Sequence, residues 1–317
     1  MLDQFLRDLI HGELSIGKKK IATLDLLLAV CITGVGALIR SEIFGISNAP
    51  ALHTEGQMLF FCILDFALAA LMALFVWETT EHRLKTVLVY SLAVIWPVFA
   101  GNSALNGGHE VEYAVTLMLC FVLVAFGKKY NQKSFWILTI LSCTAQIASA
   151  DHVGEKLTNF WPNIYTLFSE TGFVTEYGST GKLLTVGILL IIFYYISKKK
   201  FTVTPELLVS SGLFVSLFIS AFFPFMNYRS GLVANMFAIL MFIQNKKKCY
   251  VPMALCIISY VSYGFFHNGT IGVFFWIYAL GLVALMLDAG ASLVEIYSGF
   301  VYEGPSLVKR IIKYLEK

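Results

Sequence analysis

Phe222–Ser230 reads FFPFMNYRS, and it separates two long apolar runs, residues 206–225 and 231–244. The first run is of membrane length and stops at Pro224. The stretch then delivers one cation, Arg229, and the next run starts at once at Gly231. An apolar segment of about 20 residues crosses a bilayer as a helix. An arginine held between two such segments is costly unless it snorkels to water or finds a partner. The stretch therefore reads as the turn between two membrane-spanning helices, with Arg229 either an interfacial anchor or a member of a site.

Outward from this turn the same pattern repeats along the chain. Apolar runs occupy residues 21–39, 57–78, 86–101, 111–127, 134–150, 181–197, 206–225, 231–244, 251–266 and 270–288. Over 317 residues the composition is 58% hydrophobic and 14% charged, with a mean hydropathy of +0.75, which excludes an ordinary soluble domain. The expected fold is all-α: a polytopic membrane protein of about ten transmembrane helices. No sequence repeat and no Pro/Gly-rich linker divides it.

Charge fixes the expected orientation. Lys18–Lys20, His82–Lys85, Gly127–Lys133, Ser197–Lys200, Asn245–Lys248 and the basic tail fall on one side of the runs. Of 23 Lys and Arg residues only Arg40, Lys156, Lys182 and Arg229 fall on the other. The positive-inside rule then places both termini in the cytoplasm and the number of spans is even. A multi-pass protein of a bacterial plasma membrane is expected. The net charge of +3 is spread by loop rather than gathered on one face, so no nucleic-acid partner is indicated.

Three parts are expected within the chain. Residues 1–20 place Leu2, Phe5, Leu6, Leu9 and Ile10 on one helical face and read as an amphipathic interfacial helix without a signal-cleavage pattern. Residues 21–288 form the transmembrane domain. Residues 289–317 form a cytoplasmic segment whose end, PSLVKRIIKYLEK, again alternates apolar and basic residues at helical spacing. Docking of a cytoplasmic partner is the alternative role for both ends. Five cysteines, Cys31, Cys62, Cys120, Cys143 and Cys256, fall in spans and Cys249 in a cytoplasmic loop, so no exported disulfide or metal-ligand spacing is present.

This topology gathers a polar set on the external side. It contains Arg40, Glu42, His53 and Glu55, then Asn102, Ser103, Asn106, His109, Glu110 and Glu112, then Asp151, His152, Glu155, Lys156, Glu170 and Glu176. Asn227, Tyr228, Arg229, His267 and Asn268 complete it. Carboxylates, imidazoles and arginines facing one compartment suit an anionic head group and a proton transfer, and they are equally the ordinary content of external loops. His109 and Glu110 with Asp151 and His152 form a conceivable divalent-metal set, but no spacing enforces it. No metal ligands and no cofactor are assigned. Asn268–Thr270 is a glycosylation sequon on the external side, a pattern common by chance.

The order of residues adds a resemblance. Trp96–Val115 reads WPVFAGNSALNGGHEVEYAV. It resembles a segment of bacterial GT-C superfamily glycosyltransferases, membrane enzymes that use polyprenyl-phosphate sugars. There a proline-bearing span leads into Asn-Ser-Ala, Trp-Gly-Gln and an Asp followed by a Tyr. Pro97, Asn102, Ser103, Ala104, Gly107 and Tyr113 stand in register, with Glu110 in the place of the Asp and with Asn106 and Gly108 for the Trp and Gln. Asn159–Phe168, NFWPNIYTLF, is similar to a Pro-Asn-aromatic stretch of a later external loop. In the opening stretch Pro224, Met226 and Arg229 match Pro-x-Met-His-Glu-Arg-Tyr, while Asn227, Tyr228 and Ser230 replace the His, Glu and Tyr.

The resemblance implies a mannosyltransferase-like enzyme with an external cavity that holds a lipid-linked sugar donor. Glu42 or Glu110 would take the proton of the acceptor hydroxyl. Arg229, Arg40, His109, Asn102, Tyr113, Asn227, Tyr228, Asp151 and His152 would hold the donor phosphate and the substrates. The first external loop, residues 40–57, is shorter than the superfamily's usual one, and Glu42 and Glu55 are its only acids. Its partners would be a polyprenyl-phosphate-linked sugar, a glycan acceptor, membrane lipid and other envelope-assembly proteins. Two other classes stay open. One is a GT-C-like protein without catalysis that binds lipid or scaffolds surface-polysaccharide assembly. The other is a transporter or flippase, for which Asp65 in the second run is the clearest buried carboxylate.

Overall fold

A computed structural model describes residues 12–16, 19–46, 55–96, 98–101, 110–148, 177–223, 231–244 and 255. A short antiparallel hairpin comes first, β1 (Glu13–Ile16) paired with β2 (Lys19–Ala22), in a register that sets Glu13 opposite Ala22 and Ile16 opposite Lys19. Eight helices follow among the described residues: α1 (Thr23–Ile46), α2 (Glu55–Thr80), α3 (Arg83–Ile95), α4 (Glu110–Phe126), α5 (Gln132–Ala148), α6 (Tyr177–Ser197), α7 (Pro205–Phe222) and α8 (Gly231–Gln244). Each coincides with one of the apolar runs read from the sequence. The runs at 251–266 and 270–288, the tail, and residues 1–11 lie outside the described residues.

Among the described residues four helical stretches are long and apolar enough to cross a membrane: Thr23–Glu42, Leu59–Thr80, Arg83–Gly101 and Pro205–Phe222. Gly181–Ser197 and Gly231–Gln244 are apolar but shorter. The chain is accordingly a mostly helical membrane protein.

Two boundaries differ from the sequence reading. The interfacial helix expected over residues 1–20 does not reach residue 20, because residues 13–16 and 19–22 pair as strands. A glycine at position 17 of the sequence disfavours continuing a helix there. The first span also runs past residue 39: α1 continues to Ile46 and carries Glu42 on its last turns, so the connection to α2 is shorter than the expected 40–57 loop.

Local chemistry sets the helix ends. Thr204 caps α7, its hydroxyl accepting from the Leu207 N–H at 3.1 Å, with Pro205 in the first turn. Asn131 does the same for α5, its side-chain carbonyl accepting from the Ser134 N–H at 2.9 Å. α3 ends at Ile95, Trp96 is extended (φ −61°, ψ 123°), and helical backbone resumes at Val98. The residue before a proline is driven out of the helical region, which explains the break before Pro97. Hydroxyls inside the bundle bond back to their own helix: Thr139 to the Phe135 carbonyl, Ser142 to Leu138 and Thr79 to Phe75.

The core lies among α2, α3, α4, α7 and α8. α8 is enclosed almost all round, from Gly231 to Met241. α2 packs chiefly on α4 and α3, and α7 chiefly on α8 and α5. Phe75 meets Phe121 edge to face with centroids 6.0 Å apart, and Phe121 meets Phe237 at a tilt with centroids 5.1 Å apart, through the centre. α1 and α6 are peripheral, and their outer faces expose Leu38, Leu183 and Leu190. In a bilayer such faces meet lipid.

Candidate functional site

Contacts along α1 and α3 orient the bundle. Asp25 pairs with Arg83 at one end of the two helices. Further along, Thr33 and Tyr90 share a hydrogen bond of 2.6 Å. At the other end Arg40 donates to the Val94 carbonyl at 3.0 Å. The rising order on both helices means that they run parallel. Further bonds, Trp96 to Asn235, Gln146 to Ser220 and Thr185 to the Phe222 carbonyl, join the matching ends of the later helices. The ends holding Arg40, Trp96, Glu110, Gln146, Thr185, Ser220 and Asn235 consequently belong to one side, the side read as external.

That side holds most of the buried polar groups. Arg40 is 3% exposed and Asp65 also 3%. Nε and one terminal nitrogen of Arg40 donate to the same Asp65 carboxylate oxygen at 3.3 and 3.1 Å. The other terminal nitrogen donates to the carbonyls of Gly36 at 3.1 Å and Val94 at 3.0 Å. The guanidinium also stands 4.8 Å from the centroid of Phe66. The Val94 carbonyl is one of the last four of α3, which the break at Trp96 leaves without a helical partner. Arg40 fills that vacancy and binds α1, α2 and α3 together.

A second group of bonds joins the other helix ends. The Trp96 indole N–H donates to the Asn235 side-chain carbonyl at 3.2 Å, and the Asn235 amide donates to the Gly231 carbonyl at 2.8 Å. The Gln146 amide donates to the Ser220 hydroxyl at 2.8 Å. The Thr185 hydroxyl bonds the carbonyls of Gly181 and Phe222, each at 2.8 Å. Trp96 opens the stretch Trp96–Val115, and Gly231 directly follows the stretch Phe222–Ser230. The Trp96–Asn235 bond therefore holds the roots of the two stretches side by side.

Of the sequence-derived site residues, four are described. Glu110 lies in the first turn of α4 and is 2% exposed; a helix N-terminus favours negative charge there. Tyr113, three residues on, shares its face and is half-buried. Arg40 points into the bundle, whereas Glu42 is exposed on α1, because positions two apart on a helix face different ways. The structure thus does not bring Arg40 and Glu42 together, and the donors of Arg40 serve Asp65 and two backbone carbonyls instead of an open external face. Asn102, His109, Asp151, His152, Asn227, Tyr228 and Arg229 lie outside the described residues. Among the described residues no group of three His, Cys, Asp or Glu side chains is placed to hold a metal.

Trp96, Asn235, Gln146, Ser220 and Thr185 were not singled out from the sequence. The signal for two of them was present: a carboxamide inside an apolar run is rare enough to mark a buried contact.

No protein-family model matches the chain, and no solved structure does. Short stretches match dihydroorotate dehydrogenase (quinone): that of Aeromonas salmonicida at 69% identity over 29 residues, that of Proteus mirabilis at 59% over 29, and that of Shewanella woodyi at 70% over 27. Each match covers 8% or 9% of this chain and the same share of the relative. The chain spans less than a tenth of the curated relatives it matches, and the likeness carries no functional argument.

Proposed function

We propose that the chain is a GT-C-like membrane glycosyltransferase that transfers a sugar from a polyprenyl-phosphate donor to a cell-envelope glycan on the extracytoplasmic side. The observation that carries this reading is Glu110. It is a carboxylate enclosed at the external end of α4, inside a stretch that resembles the superfamily and whose root at Trp96 is tied to the helix following Arg229. A carboxylate in that position takes the acceptor hydroxyl proton as the glycosidic bond forms. A guanidinium close by stabilises the departing phosphate, with bidentate geometry that lysine lacks. Arg229 is assigned that second role, since Arg40 is engaged with Asp65. In this reading about ten helices span the plasma membrane and both termini are cytoplasmic.

One observation favours a second reading. Of the two arginines available to the donor, one is committed to a structural pair, and Glu42 stands apart from it. A protein that keeps the fold and a lipid site but only supports polysaccharide assembly is consistent with that. The transporter reading loses support, because Asp65, its clearest carboxylate, is neutralised by Arg40.

Deletion of the gene and complementation separate the two. Envelope glycan composition is compared by mass spectrometry for the wild type and for Glu110→Gln and Arg229→Ala, each checked for expression. The enzyme reading expects one sugar to vanish in the deletion and to stay absent with Glu110→Gln. Full rescue by both variants would leave only the supporting role.

A further inference from the structure

An apolar groove of about 1020 Å³ runs between α5 and α6, from Trp136 and Ser197 at one end to Ile147 and Val186 at the other. Trp136, Ile140 and Ile147 form one wall, and Leu190, Phe193 and Tyr194 the other. Ring contacts fix its cytoplasmic end. Trp136 meets Phe193 at 5.6 Å between centroids, and Phe135 meets Phe201 at 5.0 Å, which brings the α6–α7 connection against the start of α5. That connection carries Lys198, Lys199 and Lys200, all exposed, and α5 begins with the exposed Lys133. The Lys198 ammonium stands 5.0 Å from the centroid of Tyr194, a wall residue, and so lies at the mouth itself. Towards the opposite end the nearest described cation on α6, Lys182, already has an interaction partner. The groove is therefore apolar along its walls and cationic at one mouth.

We infer that this groove holds one anionic phospholipid of the cytoplasmic leaflet, with an acyl chain along the α5–α6 walls and its phosphate against Lys198–Lys200 and Lys133. The walls offer almost no hydrogen-bonding group, so the occupant's inserted part has to be hydrocarbon: an extended peptide would leave its backbone polar groups unsatisfied. The mouth offers several ammonium groups, so the occupant's head has to be anionic, and basic residues at the inner leaflet attract such lipids strongly. The lysine-bearing mouth is at the end of the bundle opposite the proposed sugar chemistry, and the inference does not depend on that chemistry.

The test uses the full chain purified in detergent, with lipid retention read by native mass spectrometry. The probes are phosphatidylglycerol and phosphatidylcholine with identical acyl chains. The expected result is retention of one phosphatidylglycerol with roughly tenfold or greater preference over phosphatidylcholine. Replacing Lys198, Lys199 and Lys200 by Ala abolishes the preference, whereas the charge-matched replacement of Lys246, Lys247 and Lys248 by Ala keeps it. Filling the groove with Leu190→Trp lowers retention of both lipids. Equal retention of the two lipids by the wild type, a preference that survives loss of Lys198–Lys200, or equal loss in the Lys246–Lys248 control would overturn the inference. Retention of neither lipid would do so too, and would mean that another segment or copy of the chain covers the groove. Should Leu190→Trp fail to elute as a single species, the replacement of Lys198, Lys199 and Lys200, all exposed, still decides.

Discussion

The side chain on which most depends is Arg40, and its behaviour follows from the cost of a charge in an apolar interior. A buried guanidinium is tolerated only when it is paired and its remaining donors are satisfied. Asp65 supplies the charge, and the carbonyls of Gly36 and Val94 take further donors. Removing one partner strands the other: Asp65→Ala should cost about 3–5 kcal/mol. The apolar double replacement Arg40→Met with Asp65→Leu should recover much of that. Thermal unfolding in detergent, followed by loss of monodisperse elution, measures both. Tyr130, in the turn between α4 and α5, is the opposite case. Among the described residues its buried hydroxyl makes no hydrogen bond, so Tyr130→Phe should leave stability at neutral pH unchanged or slightly higher. Burial, and after it the Glu78 carboxylate, raises its pKa above the ordinary 10.0. The folded state then keeps a proton that the unfolded state releases above pH 10, so stability falls as pH rises past that point. Tyr130→Phe should remove that part of the alkaline decline, as unfolding curves at pH 9 and pH 11 will show.

Among the elements, the close approaches are set by small residues and by one helix break. A Cβ on Gly212 of α7 would stand 2.5 Å from a ring carbon of Phe237 on α8. Gly212→Ala should thus force the two helices apart and cost about 1–3 kcal/mol, with Phe237→Leu relieving it. Gly187→Ala on α6 meets nothing within 4 Å and should cost nothing measurable in the same melting assay. The eight described helices were legible in the sequence because each is an apolar run bounded by charge or by a turn residue. Their lateral arrangement was not. α8 sits at the centre and α6 at the edge although both read as uniformly apolar, since a run that is hydrophobic all round meets lipid or protein equally well. The hairpin at residues 13–22 was hidden for a related reason. A local helical pattern of apolar residues precedes it, and strand pairing across Gly17 prevailed where that pattern ended. Pro97 was visible as a break, but its consequence was not: a carbonyl of α3 left for an arginine 54 positions earlier.

At the scale of the whole molecule, polarity is distributed by side. The ion pair, Glu110 and the carboxamide bonds at Asn235 and Gln146 all lie towards the ends of the bundle read as external, while the opposite ends, read as cytoplasmic, are marked by exposed lysines. This orientation predicts that a green fluorescent protein fused after Lys129 or Lys199 fluoresces, whereas alkaline phosphatase inserted at 102–109 or 224–230 is active. The reverse pattern would turn the molecule over and put Glu110 on the wrong side for an extracytoplasmic donor. The sequence placed Arg40, Glu42 and Glu110 together as external groups. Of these Glu110 is enclosed in the first turn of α4, Arg40 is paired inside the bundle with Asp65, and helical periodicity sends Glu42 outward. The most direct test is made with the purified chain in nanodiscs, supplied with polyprenyl-phosphate monosaccharides and with envelope glycan extracted from the deletion strain. The wild type should release polyprenyl phosphate with one of the donors, and Glu110→Gln, folded and inserted, should be slower by about a hundredfold or more. Release by neither protein above empty nanodiscs, or equal release by both, would contradict a glycosyltransferase that uses Glu110 as its base.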